Sequence, residues 1–202
     1  MGRTPWSRDE PTRSPFALPS GVPGRLAGHV MLWLNRQQDV LDLLDVPPGA
    51  AVLEVGYGPG GLIRLLRRTG ARRICGVDPS VQMRDLASRP HRAEIIAGRI
   101  DLRLGTAADT GFAEAEFDRV VAVNNVAIWP DLRAGLSELH RVTRSGGRAL
   151  IAWHGGTRPS LITRSNALPA EKLDEIERAL RDVFGTVTRR ELTTLTCLIA
   201  VR

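Results

Sequence analysis

Between residues 51 and 153, short apolar runs alternate with segments of helical period. Residues 51–55 are apolar apart from Glu54 and end in glycines, which predicts a short buried strand. Residues 73–77, 100–104, 119–123 and 149–153 predict four more strands. Helices are predicted over 62–68, with Leu62, Leu65 and Leu66 inward, over 81–96 and over 132–143. A Ser145-Gly146-Gly147 turn precedes the fifth strand. Strands this continuously apolar, alternating with helices, indicate a parallel sheet covered on both faces.

The two ends differ from this middle. Leu26, Val30, Leu34, Leu41 and Leu44 share one helical face, interrupted at Gln37, until Pro47-Pro48-Gly49 stops the helix. Residues 26–46 are therefore expected to form a helical cap. Residues 1–25 hold five prolines and no period, and are read as a flexible arm that can order on binding. Pro169 opens a late helix with Leu173, Ile176, Leu180 and Val183 inward. Its outer face is expected to carry the i,i+4 pairs Asp174/Arg178 and Glu177/Arg181. Strands at 187–192 and 195–201 follow, and with only Thr193-Thr194 between them they must form an antiparallel hairpin.

The 202 residues suffice for one domain, taken as 26–202. A content of 43% hydrophobic and 25% charged residues is that of a soluble globular chain. No run approaches the roughly 18 to 20 apolar residues of a membrane span, and the first 25 residues lack the apolar segment of a signal peptide. A cytoplasmic location is expected. The net charge of +6 invites a nucleic-acid reading. However, Lys172 is the one lysine, and the arginines are scattered from Arg3 to Arg202 without interleaved aromatics. A solvated basic surface is the simpler account, and a homodimer is compatible with it.

The chemistry concentrates after the first strand, in Val52-Leu53-Glu54-Val55-Gly56-Tyr57-Gly58-Pro59-Gly60-Gly61. Gly56, Gly58 and Gly61 spell the dinucleotide fingerprint G-x-G-x-x-G, a weak match alone. Glu54 distinguishes the site. A dinucleotide places an anionic pyrophosphate over this turn, where a carboxylate would repel it. The same carboxylate suits a ligand carrying an ammonium and a sulfonium; the alternative is a plain backbone cap. Asp78 lies 22 residues after Gly56, where an acid accepts from ribose hydroxyls of either cofactor type, or simply caps the next helix.

These residues resemble those of class I S-adenosylmethionine-dependent methyltransferases, of the branch similar to ubiquinone/menaquinone C-methyltransferases. The likeness runs from about Gly24 to Arg202. It rests on 52–61, on Gly76-Val77-Asp78-Pro79-Ser80 with Met83, on 105–118, on Trp129-Pro130-Asp131 and on 138–153. It implies a Rossmann-like, doubly wound α/β sheet of seven strands in order 3-2-1-4-5-7-6 with strand 7 antiparallel. It implies S-adenosyl-L-methionine as cofactor and S-adenosyl-L-homocysteine as product. By position, the turn Gly56, Tyr57, Gly58 and Gly60 would line the methionine and ribose, and Glu54 would join their water network. Asp78 would hold the ribose, Pro79 and Met83 would lie near the adenine, and Thr106 and Ala107 would frame its edge. Asn124 and Asn125 would meet the methionine end. Thr106 stands where relatives carry an acid, so adenine recognition is expected to lean on backbone groups. Ala127 and Ile128 replace histidines common after the fourth strand, so the usual histidine base does not transfer. The implied order also sets Cys75 and Cys197 four strands apart, on the order of 19 Å, beyond disulfide reach.

Methyl transfer needs alignment and exclusion of water, and a base only where the acceptor must lose a proton. His154, just past the fifth strand, and His29, in the amino-terminal helix, are the candidate bases; each also has a plain structural reading. His140 is read as structural. Asn35, Asn125 and Trp129 are candidate pocket walls, although Trp129 could equally pack on Pro130 and the neighbouring helix. No carboxylate cluster suggests a metal. The sole tyrosine, Tyr57, and sole lysine, Lys172, exclude the Tyr-x-x-x-Lys pair of short-chain dehydrogenases. The expected reaction is methylation of a small molecule such as a lipid, quinone precursor or secondary metabolite. A non-methylating member of the fold and an RNA methyltransferase remain as alternatives. With little chain inserted elsewhere, the acceptor lid is expected from the first 45 or so residues or from a partner subunit.

Overall fold

β1 (Ala51–Val55) is buried at all five positions and stands near the centre of a seven-stranded sheet. The computed structural model describes residues 6–7, 37–159, 164 and 167–202. The other strands are β2 (Arg73–Asp78), β3 (Ile100–Leu104), β4 (Phe117–Val123), β5 (Thr143–His154), β6 (Val187–Glu191) and β7 (Leu195–Val201), in the order β3-β2-β1-β4-β5-β7-β6. β1 runs parallel to β2 and β4, β2 to β3 and β4 to β5, while β7 is antiparallel to both β5 and β6. This is the doubly wound order implied by the resemblance. The chain reverses direction across the sheet between β1 and β4, the switch point where such sheets open a crevice at the strands' carboxyl ends.

Alternation along the strands builds one core on each face. Leu53, Val55, Val120, Ala122 and Ile151 pack under α5 (Leu132–Val142) and α6 (Ala170–Phe184). Val52, Ile74, Val121, Leu150 and Cys197 pack under α1 (Gln38–Leu44), α2 (Gly61–Leu66) and α3 (Val81–Ser88). α5 starts where the Asp131 side chain accepts from the Ala134 N–H at 3.0 Å, and it buries Leu132, Leu136, Leu139 and Val142 at helical spacing. Arg119 ties α1 to the amino edge of the sheet, its Nε donating to the Leu44 and Asp45 carbonyls at 2.9 and 3.0 Å. Cys75 and Cys197 are both buried free thiols, and they face opposite cores.

Three local expectations need correction. The helix predicted over 81–96 breaks into α3, a 3-10 turn at Arg89–His91 and α4 (Arg92–Ile96), because Pro90 has no N–H and its ring clashes with the preceding turn. The Ser145-Gly146-Gly147 turn lies inside a longer β5. Phe117 pairs with Thr143 but Arg119 with Arg148, so two steps of β4 oppose five of β5. The bulge is closed from β7's end, with Gly146 N–H donating to Arg202 O at 2.7 Å and Arg202 N–H to Gly147 O at 3.1 Å. Finally, Asp174 pairs with Arg189 of β6 at 2.6 Å rather than with Arg178, whereas Glu177 does meet Arg181 at 2.5 Å. The arm at 1–25, apart from residues 6 and 7, and most of the cap at 26–46 lie outside the described residues.

Candidate functional site

At the carboxyl end of β1 the chain turns through Gly56, Gly58 and Gly60, all with positive φ (72°, 51° and 84°). Gly56 N–H donates to Val77 O at 2.7 Å, which draws the turn toward β2. At Gly56 two requirements coincide: its φ favours glycine, and a Cβ there would stand 2.2 Å from the Asn125 Nδ2. Asn125 fills that gap and braces the turn, donating to Val55 O at 2.6 Å. Its Oδ1 accepts from the Trp129 indole N–H at 3.0 Å.

Two buried carboxylates face this turn. Asp78, 7% exposed, accepts from Gly58 N–H and from Ser80 N–H, each at 2.9 Å. Burial raises its pKa, and those two N–H groups oppose the rise. Glu54, 1% exposed, points from β1 toward α2, where the Ile63 backbone N–H meets it. Its Oε2 has no hydrogen-bond partner among the described residues. Burial first, and the negative charge of Asp78 second, lift the Glu54 carboxyl well above the usual carboxylate range. A buried acid with a spare oxygen, beside a second acid, destabilises the empty site and favours a ligand that brings positive charge or donors. The backbone-cap alternative accounts for the Ile63 contact and not for Oε2.

The remaining residues singled out in the sequence divide into groups. Pro79 is exposed beside Asp78, and Gly105 N–H donates to Asp78 O at 3.2 Å, so the loop after β3 abuts the same edge. There Thr106 forms a small bridge with Asp109, and Ala107 is buried against the core. Asn124 leaves β4 in the left-handed region (φ 55°), which asparagine tolerates, with its N–H on Ala152 O at 2.8 Å. Tyr57 contributes backbone alone to the turn. Its ring is buried against Gly76 of β2, where a Cβ would come within 2.6 Å, and its hydroxyl donates to Arg103 O at 3.2 Å. Met83 is 1% exposed in the core beneath α2 and α3, so the structure gives it a packing role.

Trp129 is not an open pocket wall. It lies against α5 at Gly135, where a Cβ would stand 2.5 Å from the ring. His154 ends β5 on the same sheet face as Glu54, two strands away and four residues further along, about 16 Å at ordinary strand spacing and rise. It is partly buried, its Nδ1 has no partner among the described residues, and burial lowers its pKa. His140 stacks edge-on against Phe184 at 4.9 Å, a structural placement. His29 and Asn35 lie outside the described residues. Among the described residues no set of His, Cys, Asp or Glu is grouped to hold a metal ion. An open groove of about 590 Å³ beneath β3, lined by Arg73, Arg89, Arg92 and Ile96 among others, lies away from the turn. Trp6 and Ser7, which sit on the loop after β4, were missed in the sequence; their only signal is a tryptophan in an otherwise proline-rich polar stretch.

The family described as methyltransferase domain matches residues 53–151. The chain is 31% identical over 132 residues to the uncharacterized methyltransferase YdaC of Bacillus subtilis, covering 62% of this chain and 69% of that one. It is 31% identical over 106 residues to the ubiquinone/menaquinone biosynthesis C-methyltransferase UbiE of Geotalea daltonii, covering 52% and 45%. Seven further curated relatives are spanned over half their own length or less. A crystal structure of a SAM-dependent methyltransferase from Aquifex aeolicus superposes with a TM-score of 0.67 at 16% identity, covering 84% of this chain and 91% of that one.

The buried acid makes a stability prediction. A carboxyl whose folded pKa is raised loses stability as pH climbs from its unfolded value, near 4.3, to the folded one. In ligand-free protein, Glu54→Gln should therefore melt level with the parent near pH 4. It should melt higher by at least about 4 °C at pH 8, the effect of roughly 1–2 kcal/mol in a chain of this size. Thermal denaturation across that range checks it; a gap that does not widen with pH removes the charge from the account.

Proposed function

Because the chain belongs to the class I S-adenosylmethionine-dependent methyltransferases, we propose that it methylates a small organic acceptor at the crevice above β1, β4 and β5. The observation that carries this reading is the buried Glu54 with its unpartnered oxygen at the glycine turn, beside Asp78. That pair disfavours a pyrophosphate and suits a cationic adenosyl ligand.

When bound, the cofactor supplies a methyl group on a positively charged sulfur. The chain's own residues do the rest. The Gly56–Gly60 turn, held in left-handed φ by its glycines, lines the ligand with its backbone. Glu54 offsets the positive charge of the methionine end. Asp78 keeps lone pairs for the ribose hydroxyls beyond the two it gives to Gly58 and Ser80. Asn124 presents its backbone where the loop leaves β4. Pro79, Thr106 and Ala107 border the base from the ends of β2 and β3. Little in this constellation performs covalent chemistry, so most of the acceleration comes from holding acceptor and methyl in line with water excluded.

His154 is the proposed base where the acceptor carries a proton to be removed. Burial holds its pKa below the ordinary 6.5, so the imidazole is neutral at physiological pH and free to accept. The acceptor class we favour is a small metabolite of phenolic, quinone or lipid type, consistent with C-methyl transfer by the relative UbiE. No helix among the described residues is long and apolar enough to cross a membrane. The acceptor-side cover is proposed to come from the first 45 or so residues.

Calorimetric titration tests the cofactor site. S-adenosylmethionine and S-adenosylhomocysteine should bind in the micromolar range and NAD should not, with Asp78→Ala weakening the first two at least tenfold. Binding of NAD alone would overturn the reading. With labelled cofactor and an acceptor from a phenolic, quinone and lipid panel, turnover should hold through neutral pH. It should fall only as pH drops through the depressed His154 value, and His154→Gln should lower the rate and abolish that limb. A limb that survives the substitution assigns it to another group.

A further inference from the structure

Every strand of the sheet begins after residue 50, yet Trp6 and Ser7 are bound to the loop between β4 and α5. The bonds are specific. Trp6 N–H donates to Trp129 O at 3.0 Å, the Trp6 indole N–H donates to Val126 O at 2.7 Å, and the Ser7 hydroxyl donates to Ala127 O at 2.5 Å. All three acceptors belong to the 3-10 turn Val126–Ile128 and its cap Trp129. A single short turn has few internal donors for its carbonyls, and the two amino-terminal residues supply them from 120 positions away. The Trp6 ring packs against the core under α5 and α6, with the Lys172 ammonium 5.0 Å from its centroid.

The loop it holds is not isolated. From Trp129 the indole N–H passes to Asn125, and the Asn125 amide passes to Val55 O and, at 3.4 Å, to Gly56 O. Each donor in this series is positioned by the group that precedes it, and the series ends on the glycine turn. Within the loop, the remaining backbone bonds are Asn124 N–H to Ala152 O, Ile128 N–H to Asn125 O at 3.0 Å and a long Trp129 N–H to Val126 O at 3.4 Å. Among the described residues, these leave the Ala127 and Trp129 carbonyls to Ser7 and Trp6, and the Trp6 indole gives Val126 O the shorter of its two bonds.

We propose that Trp6 and Ser7 form a clamp on the loop after β4 which, through Trp129 and Asn125, fixes the glycine turn in its ligand-binding geometry. Trp6 is a positioning residue: it touches neither the carboxylates nor the turn, and it acts on them through two intervening side chains. The proposal rests on reading that turn as the cofactor site. It also predicts the order of effects. Loss of the clamp loosens 126–129 first and the turn second, while the two cores, which contain every strand, keep their stability.

The test is amide hydrogen exchange on the full-length, ligand-free protein, combined with calorimetric binding of S-adenosylhomocysteine. Trp6→Ala should raise exchange at 126–129 and at 56–58, leave β1 and β4 protected, and weaken binding about tenfold, through loss of the indole hydrogen bond and of the ring's packing. Trp6→Phe keeps the ring but not the indole donor and should fall between. Should Trp6→Ala fail to fold, Ser7→Ala carries the same test with about a threefold effect. Faster exchange confined to 126–129 with unchanged affinity overturns the coupling to the turn. Unchanged exchange everywhere overturns the clamp. A parent protein that ignores S-adenosylhomocysteine would overturn the cofactor reading instead, and the exchange comparison would still judge the clamp.

Discussion

A carboxylate buried without its full set of partners is the constraint around which this structure is arranged. Glu54 is the fourth of five residues in β1, a strand buried at every position, where a hydrophobic residue would stabilise the sheet, and it feels the charge of a second acid at the end of the neighbouring strand. Burial and like charge both disfavour its ionised form. The fold tolerates the penalty because both cores are extensive and β1 is hydrogen-bonded on both sides. We propose that a ligand bringing positive charge to that end of the turn converts the penalty into affinity.

Around the acids, the crevice is shaped by side chains seated where glycine leaves room. Asn125 fills the space at Gly56, the Tyr57 ring covers Gly76, and Trp129 lies on Gly135. Each contact joins two elements that the sheet alone would not fix: the β1 turn to the β4 loop, the turn to β2 and β3, and the β4 loop to α5. The glycines are therefore read in pairs with their fillers. Residues that look from the sequence like ligand contacts, such as Tyr57 and Trp129, serve by holding backbone in place.

What was legible in the sequence follows from how local its cause is. The strands at 51–55, 100–104 and 195–201 were readable residue for residue, since each is an apolar run closed by glycine or turn residues. The hairpin was readable from a two-residue connection. The bulge in β5 was not, because Arg202 closes it from 55 or more positions away. The break at Pro90 was signalled by the proline, but the apolar period ran through it. At the site, Glu54, Asp78 and the glycine turn announce themselves by chemistry at fixed spacing, and the structure gathers them. The brace at Asn125 depends on a missing Cβ at Gly56, and the amino-terminal clamp on carbonyls 120 residues downstream. Neither leaves a local pattern.

The central claim is that positive charge on the cofactor favours the ionised form of Glu54. Ionisation of that acid on binding should release a proton, which calorimetry in buffers of differing ionisation enthalpy measures directly. At about pH 6, where an α-amino group is already protonated, binding of S-adenosylmethionine should release more protons from the parent protein than from Glu54→Gln. Equal proton release by both proteins, or none by either, would contradict the account.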